Sequence, residues 1–174
     1  MLGQAGRLGA ICFFVILFSG CSFLKPDKRE ELPVPLEITL GAAERVNPSV
    51  NGRPSPIAVR LFELTKETKF SAAGYVDLMA EDAKTALGEE LLTSEEFVLL
   101  PGEVRVIRKH AALDSRFLGI VAGYRDLSGS TWRAVEPLPE PHLEGRLWSS
   151  KVSPTKRLYV VLGERSVTVR EPTK

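Results

Sequence analysis

The side chains best suited to catalysis in this sequence are two histidines and a nearby aspartate–serine pair. His110 lies close along the chain to Asp114 and Ser115, whereas His142 stands apart from them. A serine, a histidine base and a carboxylate can perform acyl transfer, and such a set is recognised by geometry rather than by sequence position. The chain contains no HExxH, P-loop, GxSxG or GxGxxG pattern. A polar turn explains Asp114 and Ser115 better than a catalytic set does, so we predict no enzyme and keep a hydrolase as the alternative.

Two tryptophans are the candidates for binding a small ligand or a glycan. Trp132 lies on a predicted strand, where packing in the core is the better interpretation, and Trp148 lies in a predicted loop. A ligand site would need an exposed ring beside polar groups in a concave surface. A ligand-binding β-sandwich therefore stays open as a further alternative, and no cofactor or metal is predicted.

The N-terminal segment carries a targeting signal. Arg7 precedes an almost wholly apolar run from Leu8 to Phe18, and small residues end the run just before Cys21. This order is typical of a secretory signal peptide. The run is shorter than the roughly 20 apolar residues that span a bilayer, so residues 1–20 are predicted to be removed on export.

The cysteine makes the signal more specific. Small residues before a cysteine resemble the bacterial lipobox, although Phe18 stands where the pattern usually has leucine. The resemblance implies cleavage after Gly20 and lipid attachment to Cys21, and each buried methylene of the acyl chains contributes about 0.8 kcal/mol to anchoring. Ser22 occupies the position where an aspartate would retain a lipoprotein in the inner membrane, so the outer membrane is expected. The alternative is an ordinary signal peptide with an incidental cysteine.

The composition of the predicted mature chain excludes several functions. Cys12 lies in the signal and Cys21 is the proposed lipid site, which leaves no cysteine for disulfides, thiolate catalysis or metal binding. Once Arg7 is removed, the 22 acidic side chains are balanced by an equal number of basic ones. This balance gives no electrostatic footprint for nucleic acid and no polybasic patch for anionic lipid.

The hydrophobic pattern predicts an all-β domain. Residues 21–35 are rich in proline and charge and are predicted to form a flexible tether. The rest of the chain, residues 36–174, is predicted to form one domain, and about eight strands favour a β-sandwich. The strands are predicted at 36–42, 57–64, 96–100, 103–108, 117–124, 131–135, 157–162 and 166–170.

A change of period predicts one or two short helices inserted around residues 70–92. Tyr75 and Met79 belong to a four-residue repeat that is interpreted as core packing, with Ser71 as a helix cap and Gly88 at the end.

Three packing expectations accompany these elements. The strands on either side of Pro101-Gly102 are predicted to form a hairpin. Gly119 and Gly123 would let a bulky group pack closely against a central strand, and Arg60 is expected to form a cross-strand ion pair.

Several segments, taken in order, resemble a known family. They are Asn47-Pro48, Gly52-Arg53-Pro54-Ser55-Pro56, Val59-Arg60-Leu61-Phe62, Phe70, Tyr75, Leu87-Gly88, Leu100-Pro101-Gly102, Phe117 to Ala122, Tyr124 to Leu127 and Trp132-Arg133. Together with the lipobox they are similar to the outer-membrane lipoprotein of the type VI secretion system, the TssJ (VasD) family. The likeness covers most of residues 36–135, and residues 136–156 have no counterpart in it.

The resemblance implies a transthyretin-like β-sandwich with a short helical insertion and no enzymatic activity. It implies an outer-membrane lipid anchor, with the domain in the periplasm. It also implies a partner, the periplasmic C-terminal domain of the inner-membrane TssM (IcmF-like) protein. The function would be to anchor and assemble the envelope complex of the secretion system.

In this family the loop between the first two strands is implicated in the partner contact, which here is residues 43–56. Its prolines restrict the backbone, and a stiff exposed loop loses little entropy on docking. A plain solvated turn is the alternative. Arg53 is the expected anchor because arginine is enriched at interface hot spots. The predicted contact residues are Val46, Asn47, Pro48, Ser49, Val50, Asn51, Gly52, Arg53 and Pro54.

Overall fold

The computed structural model describes residues 31–143 and 154–172, so the predicted signal sequence, Cys21 and Trp148 lie outside the described residues. The strands are β1 (Glu31–Leu32), β2 (Pro35–Ala42), β3 (Ile57–Leu64), β4 (Leu91–Leu99), β5 (Val104–His110), β6 (Phe117–Ala122), β7 (Arg133–Pro137), β8 (His142–Leu143), β9 (Lys156–Leu162) and β10 (Val167–Arg170). The helices are α1 (Thr68–Ala72), α2 (Tyr75–Met79) and α3 (Lys84–Leu87), followed by a 3₁₀ helix at Gly88–Glu90.

Two four-stranded sheets pack face to face. The first sheet has the strand order β10-β9-β2-β5, and the second has the order β4-β3-β6-β7. Neighbouring strands are antiparallel, except that β2 and β9 run parallel. The short strands β1 and β8 pair with each other. The predicted all-β, transthyretin-like sandwich of about eight strands is confirmed.

The core lies between the two sheets and follows from the alternation in β2. Leu36, Ile38 and Leu40 are buried, as the period of two requires when one face of a strand is covered. Val59 and Leu61 of β3 meet them from the second sheet in the same cluster. Each fully buried aliphatic side chain contributes about 1.5–3 kcal/mol.

The helical insertion covers the outer face of the second sheet. Phe70 and Leu78 of the insertion are buried against Phe62 of β3. A side chain at Gly119 would bring its Cβ to 2.7 Å from the Phe70 ring, so the predicted close packing at this glycine is confirmed. β6 is therefore apolar on both faces because one face meets the core and the other meets the helices.

The details of the insertion differ from the prediction. Three α-helices are present rather than one or two, and Ser71 lies inside α1 instead of capping a helix. Gly88 does end α3, with a φ of 57°, which glycine adopts without steric cost.

The turn at Pro101-Gly102 does not close the predicted hairpin. β4 pairs with β3 in the second sheet, whereas β5 pairs with β2 in the first. The turn instead carries the chain from one sheet to the other. The Gly102 N–H donates to the Ala42 carbonyl at 3.1 Å, which ties this turn to the end of β2. A short connection brings strand ends together but does not decide which sheet each strand joins.

The folded domain begins earlier than predicted. Glu31 and Leu32 pair with β8, Val34 is buried in the core, and Pro35 is the first residue of β2. The last residues of the predicted tether therefore belong to the sandwich.

Candidate binding site at one end of the sandwich

The predicted contact residues lie in the loop between β2 and β3, residues 43–56, and they divide into two groups. Val46 is 0% and Asn47 is 4% exposed, so these two side chains belong to the interior. Pro48 and Ser49 are half-buried. The tip, residues 50–54, is exposed. The expectation of exposure is therefore wrong for Val46 and Asn47, whose side chains support the loop from within.

Asn47 fixes the base of this loop. Its backbone has a φ of 48°, which asparagine tolerates better than most residues. The side-chain Nδ2 donates to the Pro56 carbonyl at 2.8 Å, and Oδ1 accepts the N–H of Arg125 at 2.8 Å. The backbone N–H donates to the Glu164 carbonyl at 3.2 Å. One buried residue thus connects three loops, and leaving any of these groups unpaired would cost about 1–3 kcal/mol.

The tip of the loop is closed by its own hydrogen bonds. The Ser49 N–H donates to the Arg53 carbonyl at 2.8 Å, and the Gly52 N–H donates to the Ser49 carbonyl at 2.8 Å. The Ser49 hydroxyl oxygen accepts the Arg53 N–H at 3.3 Å. Val50 is fully exposed at the tip. Within the described ranges the Arg53 guanidinium takes no hydrogen-bond or ion-pair partner, so it is available to another molecule.

Four connections share this end of the sandwich, here called the loop end: residues 43–56, 100–103, 123–132 and 163–166. The chain enters β2 at the opposite end, at Pro35. A strand of eight residues, such as β2, spans roughly 25 Å at about 3.3 Å per residue. The loop end and the N-terminal end of β2 are therefore separated by the length of the sandwich.

Four charged residues at the loop end form two ion pairs with one another. Arg165 lies 3.2 Å from Asp126 and Arg45 lies 3.8 Å from Glu164, and such exposed pairs contribute little to stability. The N–H of Leu100, which donates to Glu103 Oε2 at 2.9 Å, and then the Arg105 guanidinium lower the pKa of the Glu103 carboxyl. Burial raises the pKa of the Tyr124 hydroxyl.

The candidate catalytic residues do not form a site. His110 and Asp114 are exposed, whereas Ser115 is buried and its hydroxyl has no hydrogen-bond partner. Across the part of the chain that the structure describes, no group of His, Cys, Asp and Glu could hold a metal ion. His142 is described only as a backbone member of β8.

Trp132 packs in the sandwich, as predicted. It is partly buried against both hydrophobic clusters. Its ring meets Tyr75 edge-on at a centroid distance of 5.5 Å, and the Arg133 guanidinium lies 4.9 Å from its centroid. The ring is therefore used by the protein itself and does not serve as a ligand platform.

Two arginines whose roles the sequence did not predict hold the insertion. Arg60 donates to the carbonyls of Leu78 and Ala80 and to the Ser94 hydroxyl, so the expected cross-strand ion pair is wrong. Arg133 donates to the carbonyls of Phe70 and Ala73 at 2.9 and 3.0 Å. These acceptors lie at the C-terminal ends of α1 and α2, where helix carbonyls lack partners and a cation is favoured.

A partly buried ion-pair cluster connects the two sheets at the edge formed by β4 and β5. Glu63 is buried, with Oε1 2.8 Å from the Lys109 Nζ and Oε2 accepting the Ala112 N–H at 2.7 Å. Glu95 pairs with the same lysine. Burial alone would lower the pKa of Lys109, but the hydrogen bonds to Glu63 and Glu95 outweigh it and raise the pKa. The cluster is a structural connection between β3, β4 and β5.

The described residues form a two-sheet β-sandwich without cysteine, with an exposed loop tip at one end. None of the helices in residues 31–143 and 154–172 has the length and apolar character needed to cross a bilayer. The family model T6SS-SciN, the type VI secretion lipoproteins that include VasD, EvfM, TssJ and VC_A0113, matches residues 34–164. The chain therefore belongs to the type VI secretion lipoprotein family. This is a family of secretion-system components, which confirms the prediction that the chain is not an enzyme.

Solved structures agree with this membership. The chain is 35% identical to the T6SS lipoprotein TssJ1 from Pseudomonas aeruginosa, with a TM-score of 0.72 over 82% of this chain and 99% of that one. It is 31% identical to Lip from Serratia marcescens, a membrane-bound component of the type VI secretion system, with a TM-score of 0.70 over 81% and 100% of the two chains.

A third match shows the fold alone. It lies in the structure described as the T6SS protein TssM C-terminal domain (869–1107) from EAEC, at 21% identity and a TM-score of 0.58 over 80% of this chain and 98% of that one. No curated protein sequence matches the chain.

Proposed function

We propose that this lipoprotein anchors and assembles the type VI secretion envelope complex at the outer membrane. In this proposal the tip of the β2–β3 loop binds the periplasmic C-terminal domain of an inner-membrane TssM-like protein. The observation that carries the proposal is the contrast within the loop. Its base is fixed by buried Asn47, while Val50 and Arg53 at the tip are exposed and unengaged within the described chain.

The arrangement of the two ends supports an anchoring role. The lipid would be attached at Cys21, and residues 22–30 would reach roughly 30 Å when extended. The chain enters β2 at the end of the sandwich opposite the loop end. A domain held at one end by lipid can then present its other end to a partner that comes from the inner membrane.

The conformation and the exposed side chains of the loop tip favour partner binding. A tip closed by hydrogen bonds loses little conformational freedom on docking. Arg53 supplies planar donors and Val50 supplies apolar surface, and arginine is enriched among residues that dominate interface energy. An interface that uses this tip would therefore gain affinity without reorganising the sandwich.

The partner contact is tested by calorimetric titration of the lipoprotein with the periplasmic C-terminal domain of its TssM-like protein. The double variant Val50→Ser, Arg53→Glu should weaken binding about tenfold or more and leave the thermal midpoint unchanged. Deleting residues 47–53 is a poorer test because it also removes the hydrogen bonds of Asn47. Val76→Ser, an exposed change in the insertion, is the matched control. Unchanged affinity in the double variant would contradict the proposed site.

The lipid anchor is tested separately. Cys21→Ser, made in a chain whose residues 1–20 are replaced by a signal peptide that is cleaved without lipidation, should move the protein from the membrane fraction to the soluble fraction, because neither acyl chains nor an apolar signal would remain attached. The thermal midpoint of the domain should not change, since Cys21 precedes the folded residues. Continued membrane association of this variant would contradict lipidation at Cys21.

A further inference from the structure

The outer face of the first sheet carries an exposed apolar surface. Val104, Val106, Tyr159 and Val161 are between 38% and 65% exposed. They alternate along β5 and β9 with residues that are more deeply buried. They belong to the face that points away from the core, where a solvated sheet normally carries polar residues.

Strand register places these side chains next to one another. Thr39 of β2 lies opposite Val106 on one side and Tyr159 on the other, and Gly41 lies between Val104 and Val161 in the same way. Neighbouring strands are about 4.8 Å apart, so the residues form two adjacent rows across three strands. We call this surface the apolar strip: Thr39, Gly41, Val104, Val106, Tyr159 and Val161.

The middle of the apolar strip is open. A Cβ added at Gly41 would have no atom within 4 Å, so the row between Val104 and Val161 contains a shallow hollow. A side chain from another molecule could enter this hollow without displacing any atom of the sheet.

A row of charges borders the apolar strip on the side away from the loop end. Glu37 Oε2 lies 2.8 Å from Arg108 Nε, and Glu37 Oε1 lies 3.6 Å from Arg157 Nε. These residues occupy the next positions along β2, β5 and β9. An apolar centre with a paired polar border resembles the core and the rim of a protein interface.

The loop tip is too small to form a complete interface. Its exposed part comprises residues 50–54, whereas a stable interface buries roughly 800 Å² and about 20–30 residues on each partner. The apolar strip adjoins the loop end directly. Gly41 precedes the last residue of β2, after which the β2–β3 loop starts, and Val104 follows the turn at 100–103.

We propose that the apolar strip is the second half of the partner interface and binds the same TssM-like periplasmic domain as the loop tip. This inference rests on the proposed function. The occupant would present a convex apolar side chain to the hollow at Gly41 and polar groups to the row around Glu37. The partner would then contact both the loop end and the adjoining outer face of the first sheet.

The test uses the full-length chain in detergent micelles and measures its binding to the immobilised partner domain. Val106→Glu places a charge in the apolar strip, and Tyr159→Glu is a second variant in case the first fails to fold. Arg53→Glu tests the loop tip. Val76→Glu, on the exposed surface of the insertion, is the control for added charge. Val106→Glu and Tyr159→Glu should each weaken binding about tenfold or more, while the control binds like the unmodified chain.

Each other outcome overturns the inference in a distinguishable way. If Arg53→Glu weakens binding but both strip variants bind normally, the loop-tip proposal stands and the apolar strip is not an interface. If the unmodified chain does not bind the partner domain, both proposals fail. If the chain is dimeric by light scattering and Val106→Glu makes it monomeric with unchanged partner affinity, the strip binds a second copy instead.

Discussion

The outer faces of the two sheets both carry apolar side chains, but the described chain covers only one of these faces. On the second sheet, Phe62 and Leu64 are fully buried because the insertion covers them. On the first sheet, Val104 and Val106 face outward with no part of the described chain above them. Removing an apolar surface from water lowers the free energy, whichever chain covers that surface. One face is therefore completed within the chain, and we infer that the other is completed by a partner.

The helical insertion is held on the second sheet by polar contacts as well as by packing. Helices of four or five residues are far too short to be stable alone. Arg60 and Arg133 attach their C-terminal carbonyls to the sheet. The insertion is thus a fixed part of the sandwich, which makes it a suitable site for control variants in binding experiments.

The largest expected effect concerns the covered face. Phe70→Ala should destabilise the domain by about 3–5 kcal/mol, because a fully buried aromatic side chain leaves a cavity when it is truncated. Chemical denaturation measures this change. Val76→Ala, an exposed change in the same insertion, should have almost no effect. Equal stability of the two variants would show that the insertion does not pack on the sheet.

The next largest loss of stability is expected when the contacts that attach the helices to the sheet are removed. Arg133→Ala should cost about 1.5–3 kcal/mol, because the carbonyls of Phe70 and Ala73 lose hydrogen bonds from a charged donor. Hydrogen exchange should rise in residues 68–80 before it rises in β2. Faster exchange throughout the sandwich, with no preference for the insertion, would argue against a local attachment role.

A much smaller change in stability is expected for a substitution on the exposed outer face of the first sheet. Val106→Thr keeps the branched shape and should change the free energy of unfolding by less than about 0.5 kcal/mol, since the side chain is already exposed. Denaturation of the isolated lipoprotein provides the measurement. A loss above 1 kcal/mol in this variant, on the order of a buried-residue change, would mean that the chain itself covers the apolar strip.

The smallest expected effect comes from the pKa of Glu103, which lies in the turn beside the apolar strip. The Glu103 pKa lies below its ordinary value of 4.5 because of the Leu100 N–H and the Arg105 guanidinium. A lowered folded-state pKa contributes stability above the unfolded value, and this contribution is lost as the pH falls through the folded value. A carboxyl NMR titration should place the Glu103 midpoint below 4.5. An unshifted midpoint would show that the turn is not closed in solution.

The sequence predicts the sandwich well because strand alternation reports directly which residues are buried. The bounds of β3 match the prediction, and β2 differs only by Pro35 at its start. The pairing of strands is less predictable, because the Pro101-Gly102 turn is compatible with either a hairpin or a passage between sheets. Only contacts remote in sequence, such as Gly102 with Ala42, decide between the two.

The candidate site was predicted as one continuous segment, but tertiary contacts divide it. Asn47 reads as a turn residue, and its role in joining three loops depends on Arg125 and Glu164. The apolar strip escapes prediction for a related reason. The hairpin predicted across Pro101-Gly102 does not indicate which face of β5 carries Val104 and Val106, because their direction depends on the sheet that β5 joins.

The most direct test of the proposed function is site-specific photo-crosslinking in cells that assemble the secretion system. A photoreactive amino acid would replace Val50 at the loop tip, and the same group at Val76 would serve as the control, since both side chains are exposed. We expect a covalent adduct with the TssM-like protein from position 50 and none from position 76. An adduct from position 76 alone would contradict the account, because the partner would then contact the insertion instead of the loop end.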